Sequence, residues 1–150
     1  YGFGKRDVGQ YNLPHICTFA SGCCMLIPRE IANEVTISES YFLYYEDSDY
    51  CVRLAKNGKK IYYCPSGVIF HKESVSTKKS SYIYSYYLAR NRLLFIRKNV
   101  IPIIRIIPYV VTILTMIKRC WMGLLRSRPV LDGILDFMTG KKGKCKRSYE

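Results

Sequence analysis

Acidic residues are scarce in the second half of this 150-residue sequence. Residues 76–150 hold three of them (Asp132, Asp136 and Glu150) against sixteen Lys and Arg, while residues 1–75 hold eight of each sign. The net charge of +13 therefore belongs to the second half, which needs an anionic partner or surface. No Pro-rich, Gly/Ser-rich or collagen-like stretch occurs, and no internal repeat, which excludes linkers, fibres and solenoids. An apolar fraction of 49% excludes a disordered polybasic tail as the whole answer. There is no C-x-x-C pair, and the seven cysteines are odd in number. A zinc site built from His15, Cys17 and another cysteine is poorly spaced. The cysteines read instead as free thiols in a reducing compartment, with Cys23, Cys51 and Cys64 as small core residues.

A spanning helix needs about 20 apolar residues. The most apolar window, Ile101–Ile117, is only 17 residues long and is broken by Pro102, Arg105 and Pro108. Lys98 precedes it, and Lys118, Arg119, Arg126 and Arg128 follow. This pattern predicts a segment in the headgroup region or a shallow re-entrant hairpin, the alternative being a buried helix of a larger domain. The sequence opens mid-pattern at Tyr1-Gly2-Phe3-Gly4, without an initiator Met or a signal peptide, and is expected to be a fragment of something longer.

What is present can be placed on elements. Residues 1–12 read as loop. His15 to Pro28 is apolar with a Ser21-Gly22 break, which predicts two short strands or one kinked strand. Pro28-Arg29-Glu30 starts a short helix that turns Ile31, Val35 and Ile37 to the core. A helix over Asp47 to Lys56 stops at Asn57-Gly58. Lys60 to Pro65 and Gly67 to His71 read as two strands around a Pro65-Ser66-Gly67 turn. Ser74 to Ser81 is a polar connector, Tyr82 to Lys98 a tyrosine-rich amphipathic helix, and Lys141 to Arg147 a closing run with five basic residues in seven.

The densest chemistry is Tyr44-Tyr45-Glu46-Asp47-Ser48-Asp49-Tyr50-Cys51-Val52-Arg53. Three carboxylates in four residues repel one another unless a ligand, a proton transfer or a helix N-terminus uses them. The aromatic run Tyr41 to Tyr45 suggests the wall of a pocket. Asp47-Ser48-Asp49 is formally a D-x-D triplet, but it opens a helix, where the two acids point about 200° apart. A shared metal on that triplet is therefore rejected, and Asp49 is expected to pair with Arg53 at i, i+4.

Taken in order, Ser21-Gly22, Pro28-Arg29-Glu30, the Phe42–Arg53 run, Gly58, Pro65, His71, Ser76, Tyr87-Leu88-Ala89-Arg90-Asn91-Arg92 and Gly133…Gly140-Lys141-Lys142-Gly143 resemble the C-terminal half of family 2 inverting glycosyltransferases. The branch they look most like is the rhamnosyltransferase-like one that builds bacterial surface polysaccharides. The resemblance implies an α/β class, as the acceptor-binding half of a GT-A fold with a short mixed sheet plus helices. It places that half at residues 1–75, a connector at 76–81, amphipathic and apolar helices at a membrane surface over 82–126, and a basic tail over 127–150. The nucleotide-binding half has no counterpart in this sequence, so the isolated chain is expected to be inert.

The implied reaction moves a sugar, rhamnose by analogy with the branch, from a nucleotide-sugar to a hydroxyl of a glycan or lipid-linked acceptor. Asp47 resembles the catalytic base and Glu46 the residue that holds the acceptor or positions Asp47. Gly22 allows close approach of backbone to sugar. Arg90 and Asn91 resemble a substrate-binding pair near the diphosphate, and His71 a histidine that reaches the metal. The implied cofactor is a divalent metal, Mg or Mn, held mainly by the absent half. The implied location is the cytoplasmic face of the cell membrane, held peripherally on anionic lipid. A non-catalytic basic membrane-peripheral binder is the alternative. A nucleic-acid partner is not expected, because no nucleic-acid motif appears and the basic half carries an apolar segment instead of interleaved aromatics.

Overall fold

Three acids at the start and two bases at the end suit a helix dipole, and Glu46–Lys56 forms α2 on that pattern. A computed structural model of the chain describes residues 5–71 and 81–145. Before α2 come β1, His15–Cys17, and α1, Arg29–Glu34, whose N-cap is Pro28. Asn57 ends α2 by donating from Nδ2 to the Arg53 carbonyl (2.8 Å), and Gly58 follows with a φ of 69°. The chain returns as β2, Ile61–Tyr63, antiparallel to β1 with His15 opposite Tyr63 and Cys17 opposite Ile61. Val35, Tyr50 and Leu54 form the core here, with Met25, Ile27, Ile31 and Ile61 packed around them.

Among the described residues this two-stranded sheet is the whole of the β structure. Residues 67–71, expected as a strand, are irregular and exposed, and past Cys17 the His15–Pro28 segment forms turns. Ile37 faces solvent, as do Cys23 and Cys64. Apolar alternation made strands of these segments, but a strand forms only where a neighbour satisfies its backbone. Cys51 alone of the three expected core cysteines is buried.

Ser81 caps α3, Tyr82–Asn99, by accepting from the Tyr84 N–H at 3.2 Å. Nine of its residues are buried, polar ones included, so it is not a one-faced amphipathic helix. A 3₁₀ turn at Pro102–Ile104 leads into α4, Ile106–Trp121, and α5 spans Ser127–Met138. The 127–150 segment is thus not a tail throughout: α5 lies against α3, and Gly133 marks the crossing. A Cβ there would sit 2.6 Å from the Tyr86 carbonyl oxygen and 3.1 Å from the Arg90 nitrogen. Ala89, Met116, Leu125 and Val130 form the core of α3, α4 and α5.

α4 covers about 24 Å of length, and among the described residues no helix is long and apolar enough to cross a membrane. The chain is therefore mixed α/β, mostly helical, with a minimal sheet. Most of the 76–81 connector, Ser76 and the last basic residues, Lys146 and Arg147, lie outside the described residues.

Candidate active site

The 41–45 segment leads into α2 and delivers its acids. Tyr41 is fully buried, while Phe42, Tyr44 and Tyr45 all have positive φ, at 66°, 63° and 71°. Tyr45 is the N-cap of α2, and no side chain caps that end.

Asp47 and Gly22 meet across the site. The Gly22 N–H donates to Asp47 Oδ2 at 3.2 Å, and a Cβ on Gly22 would stand 3.5 Å from the Asp47 Cβ. Asp47 Oδ1 accepts from the Ser48 N–H at 2.7 Å and from Ser48 Oγ at 3.3 Å. Asp47 is half-buried, and among the described residues it forms no ion pair. A carboxylate has about four lone-pair sites, so capacity remains for an incoming hydroxyl. Glu46, next to it, has a buried Oε2 that no donor reaches. Burial pushes the Glu46 carboxyl above its ordinary value, its own backbone hydrogen bond pulls it down, and the charge of Asp47 pushes it further up.

Asp49 is occupied differently. It is fully buried and accepts from the Tyr41 hydroxyl, Arg53 Nε and Asn99 Nδ2, each at 2.8 Å. Burial pushes its carboxyl up, but the bonds from Asn99, Arg53 and Tyr41 and the charge of Arg53 outweigh burial and hold it below its ordinary value. The expected Asp49–Arg53 pair is present. Tyr41 and Asn99 join it over 8 and 50 residues of separation, and no local pattern in the sequence signals Asn99.

Arg90 and Asn91 face neither solvent nor an open site. They are 1% and 0% exposed. Asn91 Nδ2 lies 2.9, 2.6 and 3.0 Å from the carbonyls of Tyr41, Leu43 and Tyr44. Arg90 donates from one terminal nitrogen to the Tyr41 carbonyl (2.9 Å), from the other to Gly143 (2.8 Å), and from Nε to Asn91 Oδ1 (2.9 Å). Its guanidinium also lies over the Tyr86 and Tyr87 rings, 5.3 and 4.8 Å from their centroids. The resemblance puts this pair near a diphosphate; in the structure its donors meet backbone carbonyls, the Asn91 amide oxygen and the Tyr86 hydroxyl.

His71 is exposed at the end of a described stretch and is not brought to Asp47. Among the described residues no group of three or more His, Cys, Asp or Glu could hold a metal ion.

No family model matches the chain, and no solved structure matches it. The chain is similar to the low-salt glycan biosynthesis hexosyltransferase Agl10 of Haloferax volcanii, with 31% identity over 77 residues. That match covers 50% of this chain and 25% of the relative, so the chain spans a minor part of the protein it resembles. A glycosyltransferase of glycan biosynthesis is therefore the class of protein to which this sequence shows similarity.

Proposed function

We propose that this chain supplies the acceptor side of an inverting glycosyltransferase related to the rhamnosyltransferase-like branch of family 2, with the acceptor half of a GT-A fold. The carrying observation is the arrangement at the start of α2. Asp47 is oriented by the Gly22 and Ser48 N–H groups and carries no ion-pair partner among the described residues, while Asp49, two residues on, is buried and paired. Asp47 takes the proton from an acceptor hydroxyl. The oxygen then attacks the anomeric carbon of a nucleotide-sugar from the side opposite the diphosphate, the bond from that carbon to the diphosphate oxygen breaks, and configuration inverts. Glu46, with its Oε2 buried, backs Asp47 and helps to position it. The similarity to a hexosyltransferase of glycan biosynthesis supports a sugar donor and a glycan or lipid-linked acceptor.

The acceptor side is also proposed to meet an anionic membrane from its cytoplasmic face. Ile103, Ile106, Ile107, Val110, Leu114, Ile117 and Trp121 recur at helical spacing and are all exposed, with Lys118, Arg119, Arg126 and Arg128 close by in the chain. Each basic residue near such a surface contributes about 1 kcal/mol, less at high salt.

The test is transfer by the longer enzyme of which this chain is read as a part, from UDP-, GDP- and dTDP-linked sugars to a lipid extract. Asp47→Asn keeps the shape and removes the basicity, so turnover falls by about 10²–10⁴-fold while donor binding is retained. Asp49→Asn acts through stability instead. Normal turnover in Asp47→Asn with loss in a folded Asp49→Asn would transfer the role to Asp49.

A further inference from the structure

We propose that Arg90 and Asn91 are positioning residues, which hold the 41–45 segment in a left-handed path and thereby set where Asp47 presents its carboxylate. The assignment rests on the reading of Asp47 as the base.

The argument is a one-to-one match. A peptide unit is planar, so the direction of each carbonyl is fixed jointly by ψ of its own residue and φ of the next. The three carbonyls within bonding distance of Asn91 Nδ2 belong to Tyr41, Leu43 and Tyr44. The residues that follow them are Phe42, Tyr44 and Tyr45. Among the described residues, these are the non-glycine residues with positive φ. Aromatic side chains disfavour that region, and three such residues within four positions do not hold it by local preference. Each departure turns one carbonyl toward these two side chains: the two hydrogens of Asn91 Nδ2 serve two of the three, and Arg90 takes that of Tyr41. All of these donors come from one fully buried turn of α3.

The consequence reaches the site because the last of the three, Tyr45, is the N-cap of α2. Glu46 and Asp47 are the first two residues of the helix that leaves it. The rotation of this first turn decides that Glu46 Oε2 is buried while Asp47 reaches the Gly22 N–H. The competing account is that α2 is set from below, by Tyr50 and Leu54 in the core and by the bonds to Asp49. The two accounts differ in what happens to Asp47 when Asn91 loses its amide.

The Gly22 amide is the reporter, because its proton points at Asp47 Oδ2 and senses the charge there. In ¹H–¹⁵N spectra of the full chain, Asp47→Asn is expected to move the Gly22 resonance of the wild type. In Asn91→Ala, most of that movement is lost while the circular dichroism stays native. Val130→Ala truncates the α3–α5 core without touching the segment, and it keeps the full movement. The proposal is overturned if Asp47→Asn leaves Gly22 unmoved in the wild type, if it moves Gly22 as far in Asn91→Ala, or if Val130→Ala loses the movement equally. Should Asn91→Ala not fold, Arg90→Lys decides by the same signal, and unchanged movement in it overturns the proposal. The readout does not involve turnover, so absence of transfer by the longer enzyme would defeat the glycosyltransferase reading and leave this test standing.

Discussion

Two consecutive helices of similar length use their side chains in opposite ways. α3 takes Arg90 and Asn91 inside, while α4 buries only Thr112 and Met116 and turns a row of Ile, Val and Leu outward. Burial here follows what each helix must hold. The carbonyls of the 41–45 segment need donors, so the polar residues of α3 go in. No described element covers the outer side of α4, so its apolar residues stay out. Average hydropathy describes neither case, because burial is decided by partners distant in the chain.

The sharpest way to break the contrast is to give α3 the apolar residue that its position invites. Arg90→Met replaces a buried cation with a hydrophobe of similar length, yet it strands the Gly143 carbonyl and loosens that of Tyr41. Urea unfolding should show a loss of about 2–4 kcal/mol. Gly133→Ala attacks the other side of α3 by pushing a methyl against backbone at Tyr86, where neither helix can yield cheaply. It should cost about 1–3 kcal/mol or more, read as a lower thermal midpoint.

Asp49 tests the same polar interior through pH. Its folded value is depressed, so its contribution is complete above the unfolded value of about 3.9 and is lost as pH falls through the lower folded value. Stability should therefore drop on acidification below about pH 4, and Asp49→Asn should remove that limb of the profile. Glu46 has the opposite sign. Its folded value is raised, so ionising it costs stability as pH rises through that value. Glu46→Gln should raise stability at neutral pH by roughly 0.5 kcal/mol once solvent screening is allowed for, whatever it does to transfer.

The smallest effect on stability belongs to the outer row of α4. Leu114→Gln should change the unfolding free energy by less than about 0.5 kcal/mol. Trp121 is the sole tryptophan and is 88% exposed, so its emission reports contact with lipid directly. It should shift to the blue with anionic vesicles, and Leu114→Gln should weaken that shift. Equal shifts with neutral and anionic vesicles would remove the electrostatic part of the membrane proposal.

Much of the helical framework is legible in the residues. The acids, bases and Asn57-Gly58 stop of α2 are local signals, and so is the Ser81 cap of α3. The Asp49–Arg53 pair follows from helix spacing alone. What stays hidden is set by distant partners. Nothing near Arg90 says that it will meet Tyr41 and Gly143, 49 and 53 residues away. The left-handed path of Phe42, Tyr44 and Tyr45 contradicts their own preferences, so only the clamp reveals it. α5 was masked by charge: Val130, Ile134 and Phe137 do recur at helical spacing, but the surrounding Lys and Arg made the segment read as a tail. The Gly67–His71 run failed for the reverse reason, because its apolar pattern has no neighbouring strand among the described residues.

The contact between Gly143 and the 40–41 backbone also has a temporal meaning. The Gly143 N–H donates to the Ser40 carbonyl at 2.8 Å, and its own carbonyl receives Arg90. A chain leaves the ribosome N-terminus first, at about 5–20 residues per second. The segment that bears Glu46 and Asp47 precedes Gly143 by roughly 100 residues, so the last of these bonds awaits a residue made seconds later. Until Gly143 emerges, translation has delivered the two carboxylates but not the fastening that holds the segment before them.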